Sequence, residues 1–326
     1  VQGHEALRRA LAASLAHDSL PSALLLHGPQ GVGKQRLALW IAQMDLCEDR
    51  RAEGPCDRCR SCRLALRLEH PDVHWYFPLP RPKGASSPEK MADALEAARF
   101  ARLAEIREAS LQPSRPAEPT GIYLAAARAL RRRAQSRPSM ADRQIFIIGD
   151  AETLVPQEAS PEAANALLKL LEEPPNDTRF VLSSSQPGSL LDTIRSRTVP
   201  VLVPPLTERE VVDFLVTRGV AADAVEAAAR LSGGAIGRAL GYLPLDDGGE
   251  GALEAERRAA FTLLRAALAP RMGTVFTEAL NQKVSGARAL LGLLASLEVW
   301  LRDLAAIATG VPDRAVNQDG VPWLSR

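Results

Sequence analysis

The sequence predicts an α/β protein: a parallel sheet with helices on both faces, followed by a region built from helices alone. Short apolar runs alternate with helical patterns as far as residue 205, and the best examples are 23–26 and 144–148. Strands that alternate with helices pair in parallel, because each helix carries the chain back to the end where the previous strand began. Further strands are predicted at 180–182 and 199–203.

Composition limits the size, the partners and the location of the protein. A chain of 326 residues with 46% hydrophobic residues is long enough for two or three domains. Its net charge of +1 predicts that any nucleic-acid contact is a local patch. No apolar run is long enough to cross a bilayer, so we expect no membrane association and a cytoplasmic location. Both ends, Val1 and Arg326, are expected to be trimmed.

The first domain is predicted to cover residues 1–205 and to contain an insertion near 77–120. Prolines punctuate this insertion, and a single amphipathic helix is predicted within it from Glu89 to Ser110. Because such a segment is expected to make few core contacts, we predict that it is dispensable for folding.

Two helical domains are predicted after the last strand, at 206–246 and at 247–326, the second of them incomplete. The pattern Thr207-Glu208-Arg209-Glu210 is typical of a capping box that opens a helix. A linker is predicted at Asp246-Asp247-Gly248-Gly249, where acidic and glycine residues interrupt the helical periodicity.

A glycine-rich stretch between the first strand and the next helix predicts a phosphate-binding loop. Its sequence is Gly28-Pro29-Gln30-Gly31-Val32-Gly33-Lys34. Glycines let backbone N–H groups converge on phosphate oxygens, and the helix N-terminus adds its dipole. The candidate nucleotide-binding residues are Gly28, Gly31, Gly33 and Lys34. The alternative is an ordinary glycine turn between a strand and a helix.

Two positions around this loop differ from those of a working ATPase. The residue after the P-loop lysine is Gln35, where a Ser or Thr hydroxyl would hold Mg²⁺. The strand 144–148 ends in Gly149-Asp150, so a glycine stands where a metal-binding aspartate is expected. These two losses predict that ATP is not hydrolysed, while residual binding of ATP through Lys34 stays possible.

All four cysteines lie in one short stretch: Cys47, Cys56, Cys59 and Cys62. Four thiolates at this spacing can close a tetrahedral Zn²⁺ site with no open position, which predicts a structural metal. Disulfides are an alternative that a reducing cytoplasm disfavours, and a redox or iron–sulfur role is a third. The nearby His70 and His74 are interpreted as ordinary histidines, since the cysteines already provide four ligands.

Three further features resemble a known family. The run at 163–175, ANALLKLLEEPP at its core, is similar to a helix and turn of bacterial clamp-loader subunits of the AAA+ superfamily. Ser196-Arg197-Thr198 resembles their Ser-Arg-Cys signature, and the cysteine stretch follows the P-loop helix as it does in their gamma and delta-prime subunits. The resemblance covers roughly residues 1–245. It implies an AAA+ P-loop domain with an inserted zinc module at 47–62, then a lid domain and a collar-type domain.

Within that family, the losses at Gln35 and Gly149 favour the delta-prime kind, a non-catalytic subunit of the DNA polymerase III holoenzyme. The resemblance implies that Arg197 acts in trans, in the ATP site of a neighbouring subunit, and that Ser184 occupies a sensor position. It implies a hetero-oligomer with gamma/tau and delta subunits, a role in loading the sliding clamp onto primed DNA, and contact with that DNA through the assembly.

Other interpretations stay open from the sequence. One is an ATP-hydrolysing motor subunit of the gamma/tau kind, or another AAA+ ATPase, and the two losses count against it. Another is a zinc-dependent nucleic-acid-binding module on an inactive P-loop domain, which 4% aromatic residues disfavour because base stacking needs aromatics. Arg197 is otherwise a surface arginine. The run Arg131-Arg132-Arg133 is either a phosphate contact or, by preference, a solvated helix face.

Overall fold

The computed structural model describes residues 3–84, 87–108, 118–154, 162–245, 248–269, 273–282, 284 and 286–325. The chain forms two compact units, Val1–Leu206 and Thr207–Arg326. The division of the second unit into a lid and a collar remains a prediction.

A five-stranded parallel sheet is the centre of the first unit. Its strands are β1 (Ala23–His27), β2 (Val73–Tyr76), β5 (Gln144–Ile148), β6 (Thr178–Ser184) and β7 (Val199–Leu202), in the spatial order β2-β5-β6-β1-β7. A separate two-stranded antiparallel ribbon pairs β3 (Leu79–Pro80) with β4 (Thr120–Gly121). The parallel sheet predicted from the sequence is therefore confirmed.

Helices cover both faces of the sheet, as predicted. They are α1 (Glu5–Ala16), α2 (Lys34–Asp45), α3 (Arg60–Leu66), α4 (Pro88–Glu108), α5 (Leu124–Ala134), α6 (Glu162–Glu172) and α7 (Asp192–Arg195). Ala23 and Leu25 belong to the core shared with α5 and α6. Side chains alternate along a strand, so Leu24 and Leu26, both buried, face the opposite side, where α2 lies against β1, β5 and β6.

The edge strand β2 was not among the predicted strands. It contains only four residues, Val-His-Trp-Tyr, so it lacks the apolar run that marks a central strand. Tertiary pairing with β5 defines it, with Val73 opposite Ile145 and Tyr76 opposite Ile148. A buried carboxylate fixes the start of this strand, since Asp72 accepts hydrogen bonds from the backbone N–H groups of Ser139, Met140 and Ala141 at 2.5, 2.8 and 2.8 Å.

The insertion is more firmly packed than we predicted. Its helix α4 ends at Glu108 within the described residues, while positions 109 and 110 of the predicted helix lie outside them. Leu95 and Leu103 are buried, and the guanidinium of the buried Arg99 lies 4.9 Å from the ring centre of Tyr76 in β2. The expectation of few core contacts is wrong, because α4 packs on α5 and covers apolar surface. Deletion of the segment is now expected to destabilise the unit.

The second unit is helical over its described residues. Its helices are α8 (Glu208–Thr217), α9 (Ala222–Ser232), α10 (Ile236–Tyr242), α11 (Ala252–Ala267), α12 (Gly273–Asn281), α13 (Ala287–Ala308) and α14 (Val321–Leu324). The capping box is confirmed, since Thr207 and Glu210 each bond the other's backbone N–H. Trp300 stacks on Phe261 at 4.4 Å in the core of this unit. Of the predicted linker, positions 246 and 247 lie outside the described residues.

No described helix combines the length and the apolar character that a membrane span requires.

Candidate functional site

The glycine-rich loop joins β1 to α2, in the place where a P-loop lies. Gly28, Gly31 and Gly33 have φ angles of 152°, 84° and 97°, a region that favours glycine. A Cβ atom on Gly28 would also collide with the carbonyl oxygen of Val203. The three glycines are therefore needed for the path of the backbone, whether or not a phosphate binds.

Lys34, the first residue of α2, is buried and turned back onto its own loop. Its Nζ donates to the carbonyl oxygens of Gly28 at 2.9 Å and Pro29 at 2.8 Å, and to the Oγ of Ser185 at 2.9 Å. These three bonds use every N–H of the ammonium group. Burial lowers the pKa of Lys34, and the charges of Asp150 and Glu152 oppose that effect.

Gln35 and Gly149, the two positions that differ from an ATPase, are in contact with each other. The Nε2 of Gln35 donates to the Oδ2 of Asp150 at 3.1 Å. A Cβ atom on Gly149 would lie 2.9 Å from the Cδ and Nε2 of Gln35. The carboxamide therefore occupies the space that a side chain at Gly149 would need. Sequence reasoning found both positions but not that they are paired.

Acidic groups complete the polar surroundings of the loop. Burial and the neighbouring charge of Glu152 raise the pKa of Asp150, although Lys34 and the amide of Gln35 oppose that rise. The Oε1 of Glu152 accepts the backbone N–H of Ser185 at 3.0 Å. Ser185 is thus the serine beside Lys34. The sensor position of the adjacent Ser184 stays a prediction, and the Oγ of this buried residue accepts the N–H of Gln186 at 3.1 Å.

The four cysteines converge between the end of α2 and the start of α3. Their Sγ atoms all lie within 4.8 Å of one another, and no two of them are joined by a disulfide. Cys59 caps the N-terminus of α3, where its sulfur accepts the N–H of Cys62 at 3.3 Å. The sulfurs of Cys47 and Cys56 accept the N–H groups of Cys56 and Cys59 at 3.3 Å each. Such backbone bonds favour the thiolate form.

The thiols differ in how readily they lose a proton. The N–H groups of Cys59 and Arg58 lower the pKa of Cys56 to about 6, against a smaller effect of burial. Burial raises the pKa of Cys47 and of Cys62. A bound cation would replace those protons, since a metal-coordinating thiol is deprotonated.

The size of the cluster fits a tetrahedral ion. With Zn–S bonds of about 2.3 Å, a tetrahedral site places neighbouring sulfurs about 3.8 Å apart. The Sγ atoms of Cys56 and Cys62 are separated by 3.9 Å. The histidines lie outside the cluster: His74 bonds the side chain of Gln144 at 3.2 Å, and the Nδ1 of His70 accepts the N–H of Asp72 at 3.1 Å.

Arg197 lies just after α7, with 33% of its side chain exposed. Its Nη2 pairs with the Oε1 of Glu172 at 2.5 Å, and Glu172 is the last residue of α6. Its Nη1 donates to the carbonyl oxygen of Thr193 at 2.9 Å and to the Oγ of Ser196 at 3.2 Å. Sequence reasoning missed the ion pair, because Glu172 and the exposed Glu173 are neighbours that the pattern does not distinguish.

The run Arg131-Arg132-Arg133 is exposed near the end of α5, as a solvated helix face would be. One of the three, Arg133, donates from its Nε to the ring of His74 at 3.4 Å. Burial, supported by the charge of Arg133, lowers the pKa of His74 to about 4.

Residues 3–207 match the profile of the protein family described as "DNA polymerase III, delta subunit". The DNA polymerase III subunit delta' of Bacillus subtilis is 31% identical over 207 residues, which cover 64% of this chain and 49% of that protein. The subunit delta' of Escherichia coli is 29% identical over 227 residues, which cover 69% of this chain and 55% of that protein. The matches thus span about half the length of these curated relatives.

Among solved structures, a DNA polymerase III gamma subunit-related protein from Thermotoga maritima aligns over 97% of this chain and 98% of its own, with a TM-score of 0.39 and 15% identity.

Proposed function

Because this chain belongs to the family of DNA polymerase III delta-prime subunits, we propose that it is a non-catalytic clamp-loader subunit. In this role it helps to load a sliding clamp onto primed DNA during replication. Its partners are gamma/tau and delta subunits, the clamp and, through the assembly, the DNA. A motor subunit of the gamma/tau kind is the alternative.

The observation that carries the proposal is the self-contained P-loop. Lys34 donates all three of its ammonium N–H groups to oxygens of the protein, and the Gln35 carboxamide is hydrogen-bonded to Asp150. A hydrolysing site needs a Ser or Thr hydroxyl and a carboxylate to hold Mg²⁺ against the phosphates. Since this chain offers neither group at Gln35 and Gly149, it contributes to ATP hydrolysis through residues outside its own P-loop.

We assign that part to Arg197, acting on ATP held by a neighbouring subunit. A guanidinium suits this task because it is always charged and its planar fork matches two phosphate oxygens at once. Two observations support the assignment: the side chain is one third exposed, and the residue follows a short helix, α7, outside the P-loop.

The cysteine cluster has a different task in this proposal. Cys47, Cys56, Cys59 and Cys62 hold a structural Zn²⁺ that ties α3 to the end of α2. Because all four coordination positions are filled by thiolates, the ion has no open position for substrate and takes no part in chemistry.

The trans role of Arg197 is tested in a reconstituted clamp loader, with DNA-stimulated ATP hydrolysis as the readout. Arginines supplied in trans accelerate phosphoryl transfer by about 10³- to 10⁵-fold in other systems. Several ATP sites share the work in a clamp loader, so we expect Arg197→Ala to lower the rate by roughly 10- to 100-fold. Arg197→Lys should rescue poorly, since an ammonium lacks the fork.

Arg195→Ala is the matched control, because Arg195 is exposed at the end of α7, two residues before Arg197, and pairs locally with Asp192 at 3.2 Å. Assembly of all variants is checked by gel filtration. If both Arg197 variants hydrolyse ATP and load clamps at the normal rate, the arginine has no role in trans.

A further inference from the structure

The pairing of Arg197 with Glu172 suggests how the arginine is presented. We propose that Glu172 is a positioning residue, which holds the Arg197 guanidinium ready for the phosphates of a neighbouring subunit. This inference rests on the proposed role of Arg197 in trans and adds a second residue to it.

The contacts of the guanidinium show what is fixed and what is free. The carbonyl oxygen of Thr193 and the Oγ of Ser196 both accept from Nη1, while the carboxylate of Glu172 accepts from Nη2. An arginine has five N–H donors, so one Nη2 proton remains for a ligand beside the Nε, which is buried without a partner. Glu172 therefore sets the direction of the one nitrogen that still has a donor to offer outside.

The two partners belong to the ends of helices of unequal length. Glu172 ends the eleven-residue helix α6, whose Leu170 and Leu171 are buried in the main core of the unit. Arg197 follows a helix of only four residues. A carboxylate at the end of the long helix α6 can thus restrain the long side chain that follows the short helix α7.

The expected strength of this restraint is small. The side chains of Arg197 and Glu172 are 33% and 43% exposed, so water screens the pair. An arginine side chain also carries considerable rotamer freedom, which the pair reduces before any ligand arrives. The ion pair is consequently strong enough to orient the guanidinium and weak enough for a phosphate to displace the carboxylate, which makes both Nη2 protons available to phosphate oxygens.

Glu172→Gln in the reconstituted clamp loader tests the proposal. The maximal rate of DNA-stimulated ATP hydrolysis should fall about two- to fivefold, with the KM for ATP unchanged, because the arginine acts on the transition state rather than on binding. Glu173→Gln is the matched control: the adjacent glutamate is also exposed but makes no described contact with Arg197. It should leave both constants as they are.

The double variant decides whether Glu172 acts through Arg197. In an Arg197→Ala background, Glu172→Gln should cause no further loss, since there is no guanidinium left to orient. A further loss in that background would mean that Glu172 only supports the fold, and the inference would be wrong. It would also be wrong if Arg197→Ala slowed the reaction while Glu172→Gln did not. A normal rate for Arg197→Ala overturns the proposed role of Arg197 in trans, on which this inference rests.

Discussion

The P-loop and the cysteine cluster lie at opposite ends of the same helix, α2, and they differ in how well the protein itself satisfies their polar groups. At the first end, Lys34 and Gln35 bond to carbonyl, hydroxyl and carboxylate oxygens of the protein itself. Just beyond the other end, the cysteine sulfurs contact backbone N–H groups, through weak N–H···S bonds, and one another.

This difference predicts which of the two sites depends on a ligand for its stability. A polar site whose groups already form hydrogen bonds with one another gains little stability from a ligand, because binding must first break those internal bonds. Four converging thiols gain considerable stability from a metal ion, since the ion replaces their protons and links two segments of the chain. We therefore expect the cysteine cluster to lose its local structure without a metal ion. The stability of the P-loop should not change when nucleotide is added.

The largest expected effect is at the cysteine cluster. Purified protein should contain one zinc per chain, and Cys59→Ser should cost several kcal/mol of local stability, because ion binding and local folding are coupled. Elemental analysis and hydrogen exchange of residues 47–66 measure the two effects. Arg63→Ala is the control, an exposed change on α3 that removes no ligand. A metal-free protein with the same melting temperature would abolish the contrast between the two ends.

A smaller effect is expected where Gln35 meets Gly149. Gly149→Ala should lower the free energy of unfolding by about 1–2 kcal/mol, since the new methyl group forces the carboxamide away from Asp150. In a Gln35→Ser background the same change should cost clearly less. Gly188→Ala is a suitable control, because a Cβ there meets nothing within 4 Å. Equal costs in both backgrounds would show that the two positions are not coupled.

The smallest effect is an expected absence of change. The isolated chain should release phosphate from ATP no faster than a mock preparation, and Lys34→Ala should leave that background rate unaltered. The physical reason is the missing Mg²⁺ ligands at Gln35 and Gly149. Steady-state phosphate release that disappears in Lys34→Ala would instead favour the motor-subunit alternative.

Local patterns carried most of the fold prediction. The strands β1, β5, β6 and β7 were predicted because each is an apolar run, and the capping box because its spacing is a local signal. The short β2 was missed because it depends on pairing with β5, which is distant in sequence, and α3 because seven residues are too few to show a helical period. The same holds for a buried ion pair between Arg179 and Asp45 at 2.6 Å, which joins residues far apart along the chain.

The candidate sites divide in the same manner. Glycine spacing and cysteine spacing identified the residues of the P-loop and of the cluster, since residue type alone determines that chemistry. Sequence could not show that Gln35 reaches Asp150, that Ser185 lies beside Lys34, or that Glu172 reaches Arg197. Each of these contacts depends on the relative placement of two elements, which only the folded sheet defines.

The buried Asp72 at the root of β2 makes this edge of the sheet sensitive to acid. Burial alone would raise the pKa of Asp72, but the N–H groups of Ser139, Ala141 and Met140 outweigh it and lower the pKa below its ordinary value. The stability that Asp72 contributes is therefore complete at neutral pH and is lost as the pH falls below about 4 and through the depressed value.

The free energy of unfolding, measured from pH 6 to pH 3, should show this loss. The variant Asp72→Asn should be less stable throughout and should show a shallower decline. If the two proteins decline in parallel, the acid sensitivity arises elsewhere. Protonation would release the three N–H groups at once, so acid should detach β2 before it disturbs the central strands.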